Sequence, residues 1–280
     1  MSKKGKWISY GPAFEAAQVD ERTITLPASC AGLSGRSLLF LSDVHLSRMF
    51  PERSVDRLIA QVEEMQADMI LLGGDYAESA EWQRMFFGKL SRLNPPLGMF
   101  AVAGNNDCEC FPEGLTPLIE AAGEAGVTLL VDRTVRIRAG ESMISVSGLD
   151  EFRQAKPLRK PLLTGRDANS LRILLAHYPH SLAKYLDAEY AMRPHLCLAG
   201  HTHGGQYRFM GLTPYSIGFE FRYRGVRLPA VSGWKDEKGA SLLVSPGIGT
   251  SRLPFRAGVA PEIHRIHLES KETENSKKGY

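Results

Sequence analysis

Five times along this chain of 280 residues, a short apolar run stops at once in Asp, Asn or His: LLFLSDVH, MILLGGD, MFAVAGNND, RILLAH and HLCLAGHTH. An uninterrupted apolar run of this length reads as a strand buried on both faces. Side chains just past the carboxyl ends of such strands face the crevice where parallel-rich α/β proteins bind ligands. Five separate strands therefore deliver carboxylates, a carboxamide and imidazoles to one edge, and these are the donor types that hold divalent cations.

The segments between the runs support that reading. Residues 38–41, 69–72, 99–103 and 127–131 are strand-like, and residues 55–65, 82–90 and 115–125 between them have helical spacing. Alternation of this kind predicts βαβ units and a mainly parallel sheet. From residue 134 onward VRIRAG, SMISVSG, RILLAH, HLCLAG, SLLVS and EIHRIHL are strand-like with less helix between them, which predicts a second sheet packed on the first. Residues 1–22 read as a polar amino-terminal segment, 23–268 as one domain, and 269–280 (ESKETENSKKGY) as a disordered tail.

Composition narrows the function classes. The formal net charge is only +3, with Lys and Arg scattered among nearly as many acidic residues, so there is no basic excess of the kind a nucleic-acid groove needs. Four cysteines (Cys30, Cys108, Cys110, Cys197) form no CxxC pair, which predicts a reduced, cytoplasmic setting. The start MSKKGKW is followed by no apolar stretch, and no run approaches the ~20 residues that span a bilayer. Peripheral contact with the inner face of a membrane stays open.

Each polar block alone is a weak signal, because Asp, Asn and His at strand ends often cap helices or hold turns. Their order is not weak: DxH at Asp43 and His45, GGD ending at Asp75, GNND at 104–107, a strand-terminal His177, and GHTHGGQ at 200–206. This series resembles the calcineurin-like metallophosphoesterase superfamily, with its DxH, GD, GNH plus Asp or Glu, lone His and GHxH blocks. GHTHGGQ and the later SPGIGTSRLPFRAGVAPEI resemble a bacterial branch of envelope-associated phosphoesterases and UDP-diacylglucosamine pyrophosphatases.

The resemblance implies a four-layer αββα sandwich of two mixed sheets flanked by helices, with a dinuclear centre at strand ends. It places Asp43, His45 and His203 on one metal, Asn105, His177 and His201 on a second, and Asp75 between them. A shared carboxylate offsets the repulsion of two close cations, and neutral imidazole suits manganese, iron or zinc. Two such ions would generate a bridging hydroxide for in-line attack on a phosphodiester or pyrophosphate of a small or lipid-linked substrate. A nuclease, a protein phosphatase or a non-catalytic metal-binding scaffold of the same fold are the alternatives. Cys108 and Cys110, just after the GNND block, are expected as exposed thiols near the metals.

One position departs from the family pattern. The residue after Asn105 is usually His and here is Asn106, which can donate a hydrogen bond but has no ionisable proton for a leaving alkoxide. Either the leaving group needs no acid, or His180 substitutes, or turnover is weak. Asp107 is retained, to fix Asn106 or to bind backbone amides. Arg153, Lys156, Arg159, Lys160, Arg166, Arg222, Arg224, Arg252 and Arg256 could clamp a second phosphate or simply be solvated. Phe209, Phe219, Phe221 and Tyr223 could line a groove or pack a core.

Overall fold

A computed structural model of the chain describes residues 8–10, 14–150, 161–188, 192–210, 212–213, 222–223, 226–227, 230–251 and 253–270. The first half carries β1 (Ile8–Tyr10), β2 (Gln18–Leu26), β3 (Ser37–Leu41), α1 (Glu52–Glu64), β4 (Met69–Leu72), α2 (Ala80–Leu90), β5 (Met99–Ala101), α3 (Asn105–Cys110), α4 (Thr116–Glu124) and β6 (Val127–Leu129). It continues with β7 (Arg133–Ala139), β8 (Ser142–Gly148), β9 (Ser170–Leu175), α5 (Pro179–Asp187), β10 (Leu196–Ala199), β11 (Arg222–Tyr223), β12 (Val226–Arg227), β13 (Gly233–Glu237), β14 (Ala240–Val244), β15 (Phe255–Ala257) and β16 (Glu262–Ser270).

Two six-stranded sheets result, ordered β2-β16-β3-β4-β5-β6 and β13-β14-β10-β9-β8-β7. Both are mixed. Strands β3 to β6 are parallel while β16 runs against β3, and β8, β9, β10 and β14 are parallel between antiparallel β7 and β13. The run SLLFL of β3 shows why its residues are apolar throughout. Leu38 and Phe40 enter the core between the sheets, whereas the alternate Leu39 and Leu41 enter the core beneath the helices.

Helix α1 turns Val55, Leu58, Ile59 and Val62 inward, an i, i+3, i+4, i+7 stripe in which every residue is at most 2% exposed. Each such side chain contributes about 1.5–3 kcal/mol relative to exposure. Helices α2 and α4 add Phe86, Phe87, Leu90 and Leu118 to the same layer. On the other face, α5 sets Leu182, Tyr185 and Leu186 against Leu174, Cys197 and Leu242 of the second sheet. The layers are therefore helix, sheet, sheet, helix, the expected sandwich.

Three expectations are corrected. EIHRIHL is not in the second sheet: as β16 it lies between β2 and β3 in the first. Its pattern marks it as a strand, but nothing within nine residues specifies which strands it joins. Ordered structure also begins before residue 23, since Phe14 and Ala17 are buried and β2 starts at Gln18. At the other end β16 runs to Ser270, and residues 271–280 lie outside the described residues.

Candidate metal centre

The chain turns sharply as it leaves each strand. Asp43, His45, Asp75, His201 and His203 all have positive φ, between 48° and 72°. Non-glycine residues adopt this left-handed conformation at a cost of order 1 kcal/mol or more, and such strain gathers at functional sites. Backbone hydrogen bonds hold the turns together: Asp43 N donates to Gly74 O at 2.9 Å, His45 N to Asp75 O at 3.0 Å, and Gly200 N to His177 O at 3.1 Å. Gly74 and Gly104 serve this loop packing. A Cβ on Gly74 would sit 2.6 Å from Gly104 N, and one on Gly104 would sit 2.1 Å from Asp75 Oδ1.

Two groups of donor atoms that could each hold a metal ion follow: Asp43, His45 and His203, and Asp75, His177 and His201. In the first, His45 Nε2 faces His203 Nε2 at 3.1 Å and Asp43 Oδ1 lies 3.6 Å from His203 Nε2. In the second, His177 Nε2 lies 3.3 Å from His201 Nδ1 and 3.3 Å from Asp75 Oδ2. Asn105 Oδ1 joins this group, 3.0 Å from His201 Nδ1 and 3.2 Å from His177 Nε2. The groups meet at one atom, because Asp75 Oδ2 is also 3.6 Å from His45 Nε2. All seven residues expected to bind metal are thus brought together.

Buried imidazoles and carboxylates aimed at one another fit cations between them. Imidazole and carboxylate oxygen bind zinc-like ions at about 2.0–2.2 Å, so two donors of one ion stand roughly 3–3.6 Å apart. The tautomer of His177 suits this use, because its Nδ1 donates to Gly73 O at 2.8 Å and leaves Nε2 for a ligand. Ser42 Oγ donates to Asp43 Oδ2 at 2.5 Å, and His201 N donates to both oxygens of Asp43 at 3.0 Å, fixing that carboxylate.

The electrostatics split the two carboxylates. Burial and nearby Asp75 hold the Asp43 carboxyl above the usual range. Burial works the same way on Asp75, but His177, His45 and His201 outweigh it and hold Asp75 well below that range. Burial pushes the His201 imidazole down to about 3, with the charge of His177 adding to the effect. His203 is also pushed far down, by burial and then by His45 and Arg256.

Asn106 sits at the mouth of this cluster. Its backbone N donates to Asp75 Oδ1 at 2.9 Å, its Oδ1 accepts from Asn105 Nδ2 at 2.7 Å, and its Nδ2 lies 3.1 Å from His45 Nδ1. It lines a cavity of about 500 Å³ with Glu78, Ser79, Ala80, Glu109 and Cys110. Asp107 does not reach the Asn106 side chain in any described hydrogen bond and instead binds backbone amides. Its Oδ2 accepts from Asp75 N and Gly104 N, both at 2.7 Å, and its Oδ1 from Tyr76 N at 3.0 Å and Gln83 Nε2 at 2.7 Å. Burial and then Asp75 raise its pKa to about 7, and the four N–H donors on its two oxygens act the other way, favouring the ionised form.

His180 is 3% exposed at the start of α5. Its ring centroid lies 4.9 Å from that of Tyr178, tilted by 46°, and Tyr178 in turn lies 4.2 Å from the ring of His201. The two cysteines are half-buried on α3 rather than exposed, and burial followed by the Asp107 charge pushes the Cys110 thiol up to about 11. Arg166 is exposed, and Phe209 is 78% exposed. The backbone of Arg222 and Tyr223 forms β11, while Arg153, Lys156, Arg159, Lys160, Phe219, Phe221, Arg224 and Arg252 lie outside the described residues. Arg256, expected either to clamp a second phosphate or to be solvated, is 1% exposed and therefore not solvated. Sequence reasoning missed Ser42, Tyr178 and Gln83, for which no local pattern exists.

Two buried groups of imidazole and carboxylate donors sharing one carboxylate, at the strand ends of an αββα sandwich, define a metal-dependent phosphoesterase. The chain belongs to the calcineurin-like phosphoesterase family, whose model matches residues 36–205. It is 28% identical to the uncharacterized protein YpbG of Bacillus subtilis (strain 168), over 88% of this chain and 86% of that one. It is 32% identical to phosphodiesterase YaeI of Escherichia coli (strain K12), over 61% of this chain and 62% of YaeI. A transmembrane protein with metallophosphoesterase domain from Danio rerio is 28% identical over 85% of this chain and 54% of its own length. No helix among the described residues is long and apolar enough to cross a membrane.

Proposed function

We propose that this phosphoesterase cleaves a phosphodiester or pyrophosphate bond in a nucleotide- or lipid-linked small substrate, with two divalent ions held by the seven clustered residues. Asp43, His45 and His203 hold one ion, Asn105, His177 and His201 the other, and Asp75 is shared. The observation that carries this reading is the single oxygen Asp75 Oδ2, which faces His45 at 3.6 Å and His177 at 3.3 Å. When bound, manganese, iron or zinc at such a pair supplies Lewis acidity toward phosphoryl oxygens and acidifies water to a nucleophile near neutral pH.

The protein's own groups set the bond type. Asn106 stands at the cavity beside the cluster and has no proton to give a departing oxygen. A substrate whose leaving group departs as a stable anion, such as a phosphate from a pyrophosphate, needs none. The name of YaeI, a phosphodiesterase, supports the diester arm of the reading. His180, buried behind Tyr178, lends less support to a substitute acid.

Metal-stripped protein reconstituted with manganese, iron or zinc is to be assayed on an aryl phosphodiester, an aryl phosphomonoester and a UDP-sugar. Diester or pyrophosphate cleavage that disappears in Asp75→Ala is the expected result. Preferred turnover of the monoester would overturn the assignment of bond type.

A further inference from the structure

Among the described residues, the three most exposed large apolar side chains fall within four consecutive positions: Phe209 at 78%, Met210 at 88% and Leu212 at 55%. They form the tip of a hairpin. Phe209 N donates to Leu212 O and Leu212 N to Phe209 O, both at 2.9 Å, and Met210 between them has a φ of 48°. Such a position favours Asn, Asp or Gly, which take positive φ at little cost and expose no apolar surface. Methionine there combines backbone strain with a side chain left almost wholly in solvent. Single apolar residues on a surface are ordinary, but three together on one protrusion mark a contact.

The tip is mounted on the segment that carries His203, six residues before Phe209. Gln206 is buried, and its Oε1 accepts from Ser251 N at 2.8 Å. Arg208 N donates to Ala257 O at 2.7 Å and Ala257 N to Gln206 O at 3.0 Å, tying this stretch to β15, which also pairs with β1. Past the tip, Thr213 is buried against Gly205, where an added Cβ would stand 2.6 Å from Thr213 Cβ. Both legs of the hairpin are thus anchored close in the chain to the metal-binding histidines.

The sequence around the tip is basic. Residues 207–227 (YRFMGLTPYSIGFEFRYRGVR) hold four arginines against one glutamate, an excess equal to the formal +3 of the whole chain. Arg208, next to Phe209, is exposed, with Nη2 donating to Ser232 Oγ at 3.0 Å. Three apolar side chains are too few to hold a second protein, which needs roughly 800 Å² from each partner. They suit a bilayer interface, where an apolar tip enters the acyl boundary and arginines meet anionic headgroups. Neither signal holds a protein to a membrane alone, and here the two adjoin.

We propose that the hairpin tip of Phe209, Met210 and Leu212, flanked by Arg208, docks on an anionic lipid surface and so brings the metal cluster to lipid-linked phosphates. The docking stands on the tip alone. The choice of a lipid-linked over a nucleotide-linked substrate rests on the function proposed above.

The test is flotation of the full-length protein, with and without metal, on vesicles of phosphatidylcholine alone and of equal parts phosphatidylcholine and phosphatidylglycerol. The protein should bind the anionic vesicles whether or not it holds metal, bind the neutral ones far less, and be released as salt is raised. The double variant Phe209→Ser, Met210→Ser should bind about tenfold more weakly or worse, since burying one such side chain is worth roughly a factor of ten. Phe209→Trp should keep the affinity, and unchanged melting temperatures check that both variants fold. Absence of binding to anionic vesicles, or equal binding by the serine variant, would overturn the docking. So would a wild-type dimer that becomes monomeric in the serine variant without any vesicle binding, which would give the tip to a second copy of the chain. An aryl phosphodiester with a long alkyl chain, placed in the anionic vesicles, separates docking from substrate. The wild type should hydrolyse it about tenfold faster than the serine variant, while both hydrolyse the soluble aryl phosphodiester equally. Docking without that difference would overturn the lipid-linked substrate and leave the membrane contact standing.

Discussion

The carboxylate of Asp107 accepts the backbone N–H of Asp75 at 2.7 Å, so the shared residue of the cluster is held through its main chain by a neighbouring loop. The same carboxylate takes Gly104 N, Tyr76 N and Gln83 Nε2. Asp107→Asn replaces one oxygen with an NH2 group and turns two of those N–H groups into unpaired buried donors. At about 1–3 kcal/mol each, stability should fall by about 2–6 kcal/mol. Urea unfolding of the metal-stripped variant checks this, and a loss below about 1 kcal/mol would show that the clamp is dispensable.

Replacing an imidazole on either side of Asp75 should remove one ion and not both. His203→Ala is expected to lower bound metal from about two ions per chain to about one, and His177→Ala likewise, with turnover lost in each. Elemental analysis after dialysis reads the stoichiometry. Loss of both ions in both variants would mean that the two groups form a single cooperative site.

Restoring an ionisable group at the cavity mouth should widen the range of leaving groups. Asn106→His is expected to raise hydrolysis of an alkyl phosphate ester by about 10²–10⁴-fold, the usual contribution of a general acid. Cleavage of an ester with an acidic aryl leaving group should change far less. A uniform rise or fall across both would assign Asn106 to holding Asn105 and His45 in place, and not to the question of leaving-group protonation.

His195 predicts how stability depends on pH. Burial, then the Arg172 guanidinium whose Nη2 lies 2.7 Å from its Nε2, pushes this imidazole down to about 4, against about 6.5 in an unfolded chain. Because its folded pKa is depressed, the stabilising contribution is complete above pH 6.5 and is lost as pH falls through 6.5 toward 4. Melting temperatures should fall across that window, and less steeply in His195→Gln. Identical slopes for the two proteins would remove His195 as the cause.

Much of the centre was legible because the information is local. An apolar strand followed by Asp43 or His177 states both the element and the residue at its end, and parallel strands align those ends. What escaped the sequence depends on contacts distant along the chain. Nothing near Arg256 in SRLPFRAG distinguishes a buried cation from the solvated arginines around it. Asp107 gave the right residue, but two of its partners are the backbone amides of Asp75 and Tyr76, about 30 positions away, which carry no sequence identity. The strand character of EIHRIHL was readable and its place between β2 and β3 was not, since pairing partners are set by the whole sheet.

That place has a consequence for how the molecule is made. Strand β16 lies inside the first sheet, paired on both edges, yet residues 262–270 are synthesised long after β2 and β3. While a ribosome is still adding them, β2 has no partner and β3 offers an open edge, a state prone to pairing with other chains. Every residue of the metal cluster has by then been translated, but the sheet that presents four of the seven, Asp43, His45, Asp75 and Asn105, is not yet complete. A fragment cut to the family-matched span would remain in that half-built condition, with all seven donors and no finished sheet to carry them.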